Sequence, residues 1–202
     1  MNENLTEIVF ILDRSGSMGG LESDTIGGYN GFVRKQAELG PTSLTTVLFD
    51  DKYEILHNGV DAGSAVITDK EYFTRGSTAL LDAVGKTIND VGRRLDETPE
   101  DRRPGKVIFA IATDGHENAS REFGYAQVKD MITRQSEKYS WEFIFMGANI
   151  DAAEEGGKLG IGADRSFGFA ATGAGIGVMC KGMSSICETI RKKGKKRASA
   201  EA

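Results

Sequence analysis

The 202-residue sequence has no apolar run approaching the roughly 20 residues that a membrane-spanning helix needs, so no membrane segment is expected. Its opening, Met1-Asn2-Glu3-Asn4, is acidic and leads straight into a strand-like run, which does not fit a secretory leader. A cytoplasmic protein is the expectation. Cysteine is nearly missing: Cys180 and Cys187 are the only two, and on a predicted helix, rising about 1.5 Å per residue, they stand roughly 10 Å apart. They cannot pair with each other there and read as small apolar fillers on one helix face, in keeping with a reducing compartment. A basic surface is lacking as well. The net charge is −5, yet the last twelve residues carry six basic side chains against Glu201, so the body is more acidic than the total shows. An acidic body argues against a nucleic-acid-binding core, because phosphate contacts need basic surface. The stretch Arg191-Lys192-Lys193-Gly194-Lys195-Lys196-Arg197 could touch nucleic acid or anionic lipid, but reads better as a frayed, solvated end.

What is present suits one soluble globular domain. Hydrophobic residues make up 39% and charged residues 27%, a balance that folds without help. The domain is expected over residues 5–192, followed by a basic, disordered tail over 193–202. Ile8-Val9-Phe10-Ile11-Leu12, Val107-Ile108-Phe109-Ala110-Ile111-Ala112 and Trp141-Glu142-Phe143-Ile144-Phe145-Met146 read as strands buried on both faces. Between them, apolar residues recur at helical spacing: Ile26, Tyr29, Phe32, Val33 and Ala37, then Leu80, Leu81, Val84, Ile88, Val91 and Leu95, then Tyr125, Val128, Ile132 and Gln135. Ser43–Phe49, a tight turn at Asp50-Asp51 and Tyr53–Leu56 predict an antiparallel hairpin at one sheet edge. A short helix over Asp151–Leu159 and a short strand over Ser166–Phe169 lead to a last helix from about Ile176 to Arg191. The dense glycines before it are expected to let the backbone bend. Strands alternating with helices specify an α/β fold: a doubly wound, Rossmann-like, mostly parallel sheet with one antiparallel edge strand and helices on both faces.

In such sheets ligands bind beyond the carboxyl ends of the strands. The residues placed there are rich in oxygen: Asp13-Arg14-Ser15-Gly16-Ser17 after the first strand, Thr78 in the loop before the second long helix, and Asp114 after the central apolar run. Two carboxylates and three hydroxyls, with no cysteine and no well-placed histidine, form a hard-oxygen set suited to Mg²⁺ or Mn²⁺ rather than Zn²⁺ or copper. Hydroxyl ligands are neutral, so two aspartates only balance a divalent ion and leave it electrophilic toward an incoming carboxylate.

Asp13-x-Ser15-x-Ser17, the threonine of Gly76-Ser77-Thr78 and Thr113-Asp114-Gly115 together resemble the metal-ion-dependent adhesion site (MIDAS) of von Willebrand factor A domains, of the stand-alone bacterial or phage type. The likeness spans nearly the whole chain. It implies that Ser15, Ser17 and Thr78 ligate Mg²⁺, that Asp13 and Asp114 bind it directly or through water, and that a protein partner's exposed Asp or Glu completes the shell. It also implies that the last helix shifts with ligand state, and that an ATPase subunit is a possible companion, as for some relatives. Oligomeric state is left open.

Other readings compete. Ser15, Ser17 and Asp114 could simply tie down turns, or a metal could serve only as a structural clip. A Mg²⁺-dependent phosphotransferase or nuclease is the enzymatic alternative. The first loop partly matches the Asp-x-Asp of aspartyl-phosphate enzymes, but Ser15 stands where the proton-transfer carboxylate belongs. Ser17 lacks the Gly-x-Ser-x-Gly elbow of a serine hydrolase, and Gly173-Ala174-Gly175-Ile176-Gly177 has Val178 where a dinucleotide loop needs its third glycine. His57 is expected to be solvated on the edge hairpin, and His116 to be an exposed loop residue. The expectation is a non-enzymatic, metal-dependent interaction module.

Overall fold

The computed structural model describes the backbone of residues 1–198 and the side chains through Lys192. Six strands form one sheet: β1 (Asn2–Asp13), β2 (Thr42–Phe49), β3 (Tyr53–Asp61), β4 (Pro104–Thr113), β5 (Glu142–Ala148) and β6 (Ser166–Phe169). Five α-helices connect them: α1 (Glu22–Glu38), α2 (Leu80–Glu97), α3 (Tyr125–Tyr139), α4 (Ala152–Lys158) and α5 (Gly173–Ala198). The strand order is β3-β2-β1-β4-β5-β6. Every pairing is parallel except β2 with β3, so the expected hairpin forms one edge.

Burial on both faces explains the continuous apolar runs. Ile8, Phe10 and Leu12 of β1 face one layer with Ile108 and Ala110 of β4, and meet Tyr29, Phe32 and Val33 of α1 and Ile176, Met183 and Cys187 of α5. Val9 and Ile11 face the other side with Phe109 and Ile111, and meet Leu81, Val84, Ile88 and Val91 of α2 and Val128 and Ile132 of α3. Adjacent residues on a strand point to opposite faces, so a run with no polar gap is what a sheet between two helical layers demands. Cys180 and Cys187 are buried free thiols on the inward stripe of α5. Burial pushes the Cys187 thiol up to about 12 and the Cys180 thiol up to about 11, which leaves both unreactive near neutrality.

Several boundaries differ from expectation. β1 begins at Asn2, ahead of the apolar run Ile8–Leu12 that predicts it, because Asn2 N–H donates to Arg103 O at 2.8 Å and extends the ladder toward β4. The glycine-rich stretch from Gly173 is helical instead of a bend. Thr172 caps it, accepting Gly175 N–H on its side chain at 3.1 Å and Ile176 N–H on its carbonyl at 2.9 Å, and Ile176 is fully buried. Capping and burial there outweigh the poor helix propensity of glycine. His57 is half-buried rather than solvated: its Nδ1 lies 3.1 Å from Thr46 Oγ1, which in turn lies 2.5 Å from the Tyr29 hydroxyl. Burial holds the imidazole below its usual pKa. Residues 199–202 of the basic tail lie outside the described residues. No described helix is long and apolar enough to cross a membrane.

Candidate metal centre

β1 runs to β2 on one side and is flanked by β4 on the other, so the strand order reverses at β1 and β4 and a crevice opens beyond their carboxyl ends. Asp13 is the last residue of β1 and is fully buried. Its Oδ1 accepts Ser15 N–H at 2.7 Å, a tight Asx turn that reverses the chain, and its Oδ2 accepts the Thr113 hydroxyl of β4 at 2.6 Å. The turn brings Ser15 Oγ to 3.1 Å from Ser17 Oγ, and Ser17 Oγ donates to Asp114 Oδ1 at 2.6 Å. The second oxygen of Asp114 is buried with no hydrogen-bond partner. Thr78 closes the ring: a methyl group on Gly115 would lie 3.4 Å from Thr78 Oγ1 and 3.5 Å from Ser17 Oγ. All five residues expected at the site therefore converge, and the Gly of Thr113-Asp114-Gly115 keeps the space between their oxygens open.

The first loop is tied to the segment 72–76 by two backbone bonds and one side-chain bond. Gly16 N–H donates to Gly76 O at 3.1 Å, Arg75 N–H to Arg14 O at 2.9 Å, and the Tyr72 hydroxyl to Asp13 O at 2.7 Å. Gly76 has φ +67°, and a side chain there would collide with the Asp51 carboxylate. The loop after β4 is clasped to the start of α2 by side chains that sequence reasoning did not single out. Asn118 Oδ1 accepts Thr78 N–H at 3.0 Å, while Asn118 N–H donates to Thr78 O at 3.0 Å. Glu117 accepts the N–H groups of Leu81, Ala119 and Ser120 and the Ser120 hydroxyl. Asp82 accepts those of Arg121, Glu122 and Phe123, which holds its carboxyl below the usual range against the opposing effect of burial. Glu117, through Leu81 N–H, and the Ser120 hydroxyl, which accepts Asp82 N–H at 3.0 Å, thus satisfy free N–H groups of α2, while the Asp82 carboxylate holds the loop in return.

Arg14, between the two key residues of the first loop, is also buried. Its Nε donates to Asp50 at 3.1 Å and an Nη to Glu54 at 2.7 Å, and Arg75 Nε reaches the same Asp50 oxygen at 2.7 Å. The sequence signal for this is the acidic pair Asp50-Asp51 after β2, which by itself predicts only a turn. His116 is exposed as expected; its Nδ1 lies 3.5 Å from Glu155 Oε1, a buried carboxylate also held by Lys158 and Tyr125.

The charges at the crevice suit a cation. Burial pushes the Asp13 carboxyl up to about 6, outweighing its hydrogen bonds, and the nearby Asp114 charge adds to the rise. Burial raises Asp114 too. Two carboxylates that resist ionising together, one with an orphaned oxygen, are what a bound positive charge would relieve. The set depends on hydroxyls: among the described residues no three His, Cys, Asp or Glu side chains cluster as a metal site.

No protein-family model and no curated protein sequence matches the chain. Solved structures do. Proximal thread matrix protein 1 from the mussel byssus superposes with a TM-score of 0.65 at 12% identity, over 92% of this chain and 46% of that one. A second structure of the same protein has a zinc-occupied MIDAS motif, with a TM-score of 0.61, 13% identity and the same coverage. The manganese-loaded TRAP protein of Plasmodium vivax gives a TM-score of 0.55 at 16% identity, over 73% of this chain and 58% of that one. The ArnB paralog VWA2 from Sulfolobus acidocaldarius gives 0.50 at 18% identity, over 84% and 41%. The chain has the von Willebrand factor A fold. It spans less than half of the mussel protein's chain. In this von Willebrand factor A fold the end of β1 delivers Asp13, the first residue after β4 is Asp114, and the loops between strand and helix deliver the three hydroxyls.

Proposed function

We propose that the chain is a divalent-metal-dependent interaction module, holding Mg²⁺ or Mn²⁺ among Asp13, Ser15, Ser17, Thr78 and Asp114 and gripping an acidic side chain of a protein partner. The observation that carries this reading is the orphaned, buried Oδ2 of Asp114 beside a ring of neutral hydroxyls. A hard ion satisfies that oxygen, and three uncharged ligands leave it attractive to another carboxylate. Ser17 is exposed while Asp13, Ser15, Thr78 and Asp114 are buried, so the ring reaches solvent at Ser17, where a partner would approach. The metal, when bound, would supply electrophilic attraction for that acid; the chain's own residues would fix its position. The metal-bearing neighbours, zinc in the mussel protein and manganese in the Plasmodium one, support the reading. We read the module as non-enzymatic and as acting inside the cell. A phosphotransferase of the aspartyl type would need a second carboxylate at Ser15, which is instead a hydroxyl turned toward Ser17.

Isothermal titration tests the metal half. Mg²⁺ and Mn²⁺ should bind with one site, and Asp13→Ala and Ser15→Ala should each abolish the heat; unchanged affinity in both variants would sink the proposal. Capture of an acidic partner from lysate with and without Mg²⁺, read by mass spectrometry, tests the other half. Capture that survives both EDTA and Asp114→Ala would favour a metal that merely clips loops together.

A further inference from the structure

The end of the sheet away from the metal centre has a cleft of about 700 Å³. It lies between the second half of α2, the last turns of α3 and the start of β4, and its volume falls in the range of small-ligand sites, about 300–1,000 Å³. Its charge runs against that of the chain as a whole, whose net charge is −5. Arg93, Arg103, Lys106, Arg134 and Lys138 line it, against only Glu3 and Asp96.

These cations are not equally available. Arg103 is committed to the end of α2, donating to the carbonyls of Thr98 and Asp96 at 2.7 Å each. Arg93 reaches Asp90 at 3.5 Å. Among the described residues Lys106, Arg134 and Lys138 have no carboxylate partner. A role in balancing the helix dipole would account for Arg134 and Lys138 near the carboxyl end of α3. It does not account for Lys106, which sits on β4. One wall is aromatic: Tyr139 is half-exposed with the Lys138 ammonium 5.1 Å from its ring centre, and Trp141 is stacked on Phe109 at 5.2 Å.

We infer that this cleft binds a ligand carrying a chain of phosphates. Three unpaired cations around one cleft call for several negative charges close together, which a single carboxylate does not offer and a polyphosphate does. Free polyphosphate and a nucleoside triphosphate share that chemistry, and the half-exposed Tyr139 ring is where the base of a nucleotide would stack.

Trp141 is the only tryptophan, so its emission reports on this cleft alone. Metal-free protein is titrated with ATP and, separately, with inorganic tripolyphosphate. A saturable change in emission is expected, weakened at least tenfold in the Arg134→Ala, Lys138→Ala double variant and retained in Asp114→Ala. Both altered cations are exposed, and a circular dichroism spectrum confirms that the double variant is folded. ATP binding at least tenfold tighter than tripolyphosphate identifies the nucleotide as the source; equal binding identifies the phosphate chain itself. No saturable response to either probe, or a folded double variant that titrates like the wild type, overturns the inference.

Discussion

Replacing Asp13 by Asn should make the metal-free protein more stable and at the same time abolish its response to Mg²⁺. The charged form of Asp13 is held at a cost by burial. Moving a carboxyl from 3.8 to about 6 corresponds to ~3 kcal/mol at about 1.36 kcal/mol per pH unit. A raised native pKa contributes stability that is fully present below pH 3.8 and lost as pH rises through about 6. EDTA-treated wild type should therefore gain ~1 kcal/mol from pH 7 to pH 5. Asp114, raised by burial, acts in the same direction, and His57, held below its usual pKa, acts against both. Asp50, Asp82 and Glu155 are lowered and keep their contributions throughout this window, losing them only as pH falls below their ordinary carboxyl range.

Asp13→Asn removes that cost at pH 7. It keeps an acceptor for Ser15 N–H and strains one bond, to Thr113, worth about 1 kcal/mol. A net gain of ~2 kcal/mol would raise Tm by about 4–8 °C at this chain length. Mg²⁺ at ~100 times its Kd should stabilise the wild type by ~2.7 kcal/mol and the variant by nothing. Differential scanning calorimetry at pH 7 and pH 5, with EDTA or with Mg²⁺, reads all of these. A metal-free variant no more stable than wild type, with both proteins equally raised by Mg²⁺, would refute the reasoning.

Glu117→Ala should cost ~1–3 kcal/mol by leaving α2 and loop N–H groups unpaired, and should weaken Mg²⁺ binding at least tenfold in a titration, although Glu117 is not among the proposed ligands. Arg14→Ala should cost ~1–3 kcal/mol in urea unfolding, since it empties the space of a fully buried guanidinium and leaves Arg75 as the one cation on buried Asp50. Glu54→Gln, at the half-exposed end of the same network, should stay below ~1 kcal/mol. Gly76→Ala should cost ~1–3 kcal/mol through its left-handed backbone and the Asp51 collision, and should lower metal affinity by moving the carbonyl that receives Gly16 N–H.

The sheet and its layers were legible because they rest on local rules. Ile8–Leu12 and Val107–Ala112 have no polar gap, and the α2 stripe from Leu80 to Leu95 repeats at helical period. The convergence of the five candidate residues was legible for a related reason: a doubly wound sheet sends the ends of its strands to one crevice, so Asp13 and Asp114 were bound to meet. The start of α5 was misread because Thr172 capping and the burial of Ile176 depend on distant partners that glycine propensity does not register.

The sequence by itself determined the order of strands and helices, the hard-oxygen character of the site and the neutrality of its hydroxyls, since each is a property of residue type and period. Only the tertiary structure decided what distinguishes the proposed cation site from a set of capped turns. Burial orphaned Asp114 Oδ2 and raised Asp13, and Glu117, Asn118 and Asp82 locked one loop to another. The cleft that gathers Lys106, Arg134 and Lys138 from a strand and a helix belongs to the same class of fact. These depend on desolvation and on contacts between segments far apart in the chain, and neither quantity is written in any one stretch of it.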